Sequence, residues 1–141
     1  MVTTILVDRD LEGYSDFIEV GWRETGWDQL LPLEFKWSVD FALPADYPDQ
    51  DIWRFVQQEG LLLVTSNRNR EDDTSLQATI ERENTSESLP VITIPHKESL
   101  LLAECRQRVA HRLADILIYP EDYRGAGRVL YPNRQSSLSL L

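Results

Sequence analysis

Four short runs of aliphatic and β-branched residues punctuate the chain: TTILV (3–7), LLPLEF (30–35), LLLVT (61–65) and VITI (91–94). The first, third and fourth show little polar alternation, the pattern of strands buried on both faces of a sheet. The second is interrupted by Pro32, which removes a ladder donor and fits an edge position. Between these runs the apolar spacing changes to three and four. Over 11–25, Tyr14, Phe17, Ile18 and Trp22 recur at helical intervals, and Gly26 supplies a stop. Over 48–60, Pro48 and Asp49 open a second helix, Ile52, Phe55 and Val56 form its apolar stripe, and Gly60 ends it. A third helix is expected over 74–83, beginning at Thr74. A fourth is expected from about Lys97 to Leu117, with Leu102, Cys105, Val109, Leu113 and Ile116 as its buried stripe.

Strands alternating with helices at this spacing predict right-handed crossovers. The expected fold is a three-layer α/β domain, a mostly parallel sheet of four to five strands with helices on both faces. The expected domain spans 1–118. From Tyr119 the chain carries prolines, glycines and a Ser/Leu end, so 119–141 reads as an irregular extension. GAG at 125–127 is too short for a phosphate loop and follows no predicted strand. The connection 36–50 is long for a compact domain. Its Trp37, Phe41 and Tyr47 read as glue to the body before they read as ligand contacts.

Length and composition bound the function. A chain of 141 residues, 42% hydrophobic and 27% charged, is one globular domain. No apolar run approaches the roughly 20 residues of a membrane span, and MVTTILVDRD has no secretory pattern, so a cytoplasmic protein is expected. Cys105 is the single cysteine, which excludes an internal disulfide and a cysteine metal cluster. His96 and His111 lack metal-ligand spacing. The net charge of −10 argues against a general nucleic-acid binder. That charge is uneven: residues 1–100 hold 8 basic and 20 acidic side chains, whereas 101–141 hold 6 and 4.

Ligands of open parallel sheets bind beyond the carboxyl ends of the strands. The first strand ends at Asp8-Arg9-Asp10, the third at Thr65-Ser66-Asn67-Arg68-Asn69, and the second helix opens at Asp49-Gln50-Asp51. Asp8 and Asp10 share a face if the strand continues through them. Three acidic clusters meeting above one sheet form an oxygen-ligand site for Mg²⁺ or Mn²⁺. Asn67 and Asn69 also suit a turn after a strand. Glu71, Asp72 and Asp73 also suit the approach to a helix N-terminus.

This ordered set resembles the PIN-like domains, the fold of many small metal-dependent ribonucleases and toxin–antitoxin toxins. The chain is most similar to the small PIN-like subgroup whose pattern is D-E-N-L, a D-x-x-I helix start, then G-x-x-L-V-T-x-D-x-D. The matching residues are Asp8-Arg9-Asp10-Leu11, Gly26-Trp27-Asp28, Asp49-Gln50-Asp51-Ile52 and the run from Gly60 to Asn69, spanning about residues 3 to 95. Asn67 and Asn69 stand where that pattern has metal-binding aspartates, and Asp10 stands where it usually has asparagine. The resemblance implies a nuclease cleaving phosphodiester bonds of single-stranded RNA. Asp8, Asp10 and Asp49 would be the catalytic and metal-binding residues with Mg²⁺ or Mn²⁺, joined by Asp72 or Asp73 if the loop brings one inward. Thr65, Asn67, Arg68 and Asn69 would contact the phosphate. With two carboxylates lost, two readings stand: a nuclease with a weakened or lost site, or a non-catalytic binding module on the same fold. The resemblance further implies an antitoxin or other protein partner, and a homodimer.

Overall fold

The computed structural model describes residues 3–44, 46–68 and 72–131. Five strands form one all-parallel sheet in the order β2-β1-β3-β4-β5, with β1 at Thr4–Val7, β2 at Glu34–Trp37, β3 at Leu62–Thr65, β4 at Val91–Thr93 and β5 at Arg128–Leu130. The crossover helices are α1 (Ser15–Glu24), α2 (Asp49–Glu59), α3 (Leu76–Glu83) and α4 (Ala103–Ile118). The fold is therefore the expected three-layer α/β arrangement. Among the described residues no helix is long and apolar enough to cross a membrane.

The period-two geometry of the strands splits the core into two. Ile5, Val7, Leu62, Val64 and Ile92 face α1 and α4, where Ile18, Trp22, Val109 and Leu113 meet them. Leu6, Leu63 and Val91 face α2 and α3, meeting Ile52, Trp53, Val56, Leu76 and Ile80. Every residue of β3 and β4 is buried, which explains their uninterrupted apolar runs. Each fully buried aliphatic side chain contributes about 1.5–3 kcal/mol, so these central strands anchor the sheet. Helices α1 and α4 approach so closely that a Cβ on Gly21 would lie 2.6 Å from the Arg106 carbonyl oxygen.

Several boundaries differ from the expectation, each for a local reason. The second strand starts after Pro32 rather than spanning it, at Glu34, and takes in Trp37. The long connection is thus shorter than 36–50. A tight turn over Ser38–Phe41 stacks Phe41 edge-on against Phe55, with ring centroids 5.3 Å apart. Helix α3 starts at Leu76, two residues late, because Ser75 caps it by accepting from Ala78 N–H at 3.1 Å. The fourth predicted helix is two pieces, a 3-10 turn over Lys97–Leu101 and then α4. The break places the start of α4 at the surface. Leu102 is 62% exposed, and Cys105 is only half-buried rather than a core residue. The stripe that packs begins at Val109 and Ala110.

The largest difference is the fifth strand. Arg128–Leu130 lies within the segment expected to be irregular and pairs with β4 in register Val91↔Arg128, Ile92↔Val129 and Thr93↔Leu130. Tyr131 is buried against the α1–α4 face, so the folded body continues past the expected end at 118. The GAG segment is the hinge into that strand: Gly125 and Gly127 have φ of +84° and +78°, values that disfavour any residue with a Cβ.

Candidate functional site

The strand order reverses between β1 and β3, since the chain moves outward to β2 and then crosses back to β3. A crevice opens at the carboxyl ends of two such strands, because their loops diverge to opposite faces. Asp8 and Asp10 come from the loop after β1, and Thr65, Ser66 and Asn67 from the end of β3.

The sequence logic that Asp8 and Asp10 share a strand face is replaced by a different device. The strand ends at Val7, and Asp8 caps a 3-10 turn over Arg9–Leu11, its Oδ1 accepting from Arg9 N–H at 2.8 Å. The turn swings Asp10 back towards Asp8. Both carboxylates then meet the hydroxyl of Thr65, whose Oγ1 lies 2.8 Å from Asp8 Oδ2 and 3.2 Å from each Asp10 oxygen. Ser66 holds Asp10 as well, donating its N–H at 3.2 Å and its hydroxyl at 2.9 Å to Oδ2. Asn67 N–H donates to Thr65 Oγ1 at 2.9 Å. The Thr65 hydroxyl has one proton, yet two carboxylates approach it.

Burial and mutual repulsion set the electrostatics of the pair. Asp8 is 6% exposed, and its carboxyl is raised to about 6 by burial first and the neighbouring Asp10 charge second, with Asp49 adding to the rise. The hydrogen bonds from Thr65 and Arg9 act in the opposite direction. The part of this rise that comes from the Asp10 and Asp49 charges is one that a bound cation would relieve.

Asp49 is the first helical residue of α2, where its charge favours the helix dipole, and it joins the cluster indirectly. Asn67 Nδ2 donates to Asp49 Oδ2 at 3.0 Å. The asparagine thus presents an amide N–H₂ to that carboxylate, where an aspartate would repel it. Among the described residues no group of three or more His, Cys, Asp or Glu side chains is gathered closely enough to hold a metal ion. Mg²⁺ sites elsewhere use as few as one or two carboxylates when a phosphate completes the shell; Asp8 and Asp10, joined on Thr65, are the two carboxylates that would supply them here.

The other predicted residues are placed as follows. Arg68 is exposed. Asp72 accepts from Thr74 N–H at 2.9 Å and from its hydroxyl at 2.8 Å, organising the turn before α3. Asp73 is exposed and its carbonyl accepts from Arg82 at 3.0 Å. Asn69, Arg70 and Glu71 lie outside the described residues.

Three residues of the site had no signal in the motif. Lys97 opens the 3-10 turn after β4, its Nζ donating to the Asp10 carbonyl at 3.0 Å and lying 5.7 Å from the centre of the Tyr14 ring. Its place just past the carboxyl end of the fourth strand, equivalent to those of Asp8 and Asn67 after the first and third, is the signal the sequence carries for it. Ser66 stands inside the motif at a position the pattern leaves open. Arg128 comes from β5, bonding the Asn67 carbonyl and the Thr93 hydroxyl at 2.7 Å each and Gln77 Oε1 at 2.9 Å. Nothing local marks it, because its partners lie at least 35 residues away. Compared with protein-family models, with curated proteins and with solved structures, the chain matches none of them.

Proposed function

We propose that the chain is a PIN-like, divalent-metal-dependent phosphodiesterase acting on single-stranded RNA in the cytoplasm, with a site weakened by its asparagines. The observation that carries this reading is the pairing of Asp8 and Asp10 on the Thr65 hydroxyl at the switch-point crevice. Asp8 and Asp10 would hold Mg²⁺ or Mn²⁺, which when bound supplies Lewis-acid stabilisation of charge on the phosphoryl group. Ser66 holds the Asp10 carboxylate and Lys97 its main-chain carbonyl, and Asn67 keeps Asp49 in reach. Arg68, exposed beside the crevice, supplies a cation for the phosphate.

A second reading is a protein-binding module on the same fold, with an antitoxin-like or other protein as partner. It is favoured by the Asn67–Asp49 hydrogen bond, which fills with an amide the place where the PIN-like pattern has a carboxylate. Calorimetric titration of Mn²⁺ into wild type, Asp8→Ala and Asn67→Asp separates the two. Wild-type binding that disappears in Asp8→Ala, together with Mn²⁺-dependent cleavage of single-stranded RNA, supports the enzyme. Binding seen only in Asn67→Asp supports the module.

A further inference from the structure

A groove of about 520 Å³ opens beside the carboxylate crevice, at the carboxyl ends of β1 and β2. Its walls are Trp37, Val39, Leu43 and Ser38, with Arg9 and Glu12 as its charged groups. The chain connects it directly to the site: Val7 lines the groove, and the next residue is Asp8. Size and lining are those of a small-molecule pocket, mostly apolar with a few convergent polar groups.

Three features describe what would occupy it. The Trp37 indole is fixed in advance, its Nε1–H donating to Ser15 Oγ at 3.2 Å and its main-chain N–H to Asp40 Oδ2 at 2.8 Å. An immobilised aromatic ring costs little entropy when a planar ligand packs on it. Val39 is 80% exposed over the groove, an apolar contact that serves no part of either core. The charged pair supplies opposite hydrogen-bonding characters. The Arg9 guanidinium spends N–H groups on the Pro44 and Tyr47 carbonyls at 3.4 and 3.3 Å and has further donors. The Glu12 carboxylate is exposed and accepts no hydrogen bond among the described residues.

The acidic excess of residues 1–100 disfavours a phosphate in this groove and favours a neutral ring. A donor fork and an acceptor carboxylate lining the same groove match a base that offers acceptors and donors on adjacent edges. Guanine does so: O6 and N7 accept from an arginine, and its N–H groups donate to a carboxylate. Adenine offers its amino donor but lacks the O6 acceptor and the N1–H. We propose that this groove is a base-recognition subsite taking one guanine of an RNA strand whose phosphodiester lies at the Asp8–Asp10 crevice. The proposal rests on the nuclease reading for the strand and on the groove alone for the base.

The test is titration of guanosine and adenosine, neither carrying a phosphate, into the full chain, followed by calorimetry and tryptophan fluorescence. Wild type should bind guanosine saturably and about tenfold more tightly than adenosine. Glu12→Gln should bring the two nucleosides level, and Val39→Asp should weaken both by about tenfold. Both side chains are exposed, and circular dichroism verifies that the variants remain folded. Absence of saturable guanosine binding, or guanosine binding unaltered in both variants, overturns the subsite. So does displacement of guanosine by N-acetyl-leucinamide at lower concentration, which assigns the groove to an apolar side chain of a protein. Mn²⁺-dependent hydrolysis of bis(p-nitrophenyl) phosphate, which has no base, reads the crevice separately. Guanosine binding without that hydrolysis keeps the subsite and removes the nuclease reading; hydrolysis without guanosine binding removes only the subsite.

Discussion

Thr65 Oγ1 lies 2.8 Å from Asp8 Oδ2, joining the buried end of β3 to the buried end of β1. These residues are 57 apart in sequence, and their contact is the centre of the candidate site. Replacing the hydroxyl by a methyl keeps the volume and leaves two carboxylates without their shared donor. Thr65→Val should therefore destabilise the fold by about 1–3 kcal/mol. The loss in urea unfolding should be larger at pH 8, where Asp8 is ionised, than at pH 5. An equal loss at both values would mean that the hydroxyl does not serve the charges.

Asp8 gives the fold a pH dependence of defined sign. Its carboxyl stands at about 6 in the folded chain against 3.8 as the ordinary value. The folded state binds this proton more tightly than the unfolded state. The contribution is complete below the unfolded value and is lost as pH rises through about 6. Relative to Asp8→Asn, wild type in the presence of a chelator should lose up to about 3 kcal/mol between roughly pH 4 and pH 7. Parallel urea curves at each pH measure the difference, and a constant difference across that window would remove the shift.

Asn67→Asp sets a carboxylate where an amide now donates to Asp49 at 3.0 Å. Without metal the change should lower stability by about 1–2 kcal/mol through like-charge repulsion and a lost hydrogen bond. Millimolar Mn²⁺ should recover that loss, as a rise in melting temperature larger than wild type shows. A variant destabilised equally with and without Mn²⁺ would place Asp49 and residue 67 outside any cation site.

Gly21→Ala should destabilise even though alanine is the better helix former by about 1 kcal/mol. The added Cβ would lie 2.6 Å from the Arg106 carbonyl oxygen, so α1 and α4 must separate. Overpacking of this kind costs about 1–3 kcal/mol. Urea midpoints decide the sign, and a stabilised variant would show that the helix pair has slack.

Arg128→Met should loosen the site loop from a distance. The guanidinium holds the Asn67 carbonyl and the Thr93 hydroxyl at 2.7 Å each. Deleting it should cost about 2–4 kcal/mol, since buried polar partners lose a charged donor. Hydrogen exchange should rise at Asn67 and Arg68 more than in α1. Uniform acceleration would indicate a purely global role.

The unbroken apolar runs of β1, β3 and β4 were readable because a strand covered on both faces needs apolar residues throughout. The helices were readable from their spacing, and the end of α2 from Gly60, whose φ of +70° suits a residue without a Cβ. The sequence also pointed to Asp8, Asp10 and Asp49, since strand ends and helix starts are local features. It placed Cys105 in the core because periodicity marks a stripe without saying which turns of a helix are covered. It missed β5, a run of only three residues that becomes a strand through its partner β4. Strand order belongs to the tertiary structure alone. Only after the chain crosses from β2 back over β1 to β3 do Thr65 and Ser66 stand beside Asp8 and Asp10. Lys97 and Arg128 reach the same place for the same reason. Local pattern records how buried each element is, whereas contacts between elements far apart in sequence are chosen by the packing of the whole sheet.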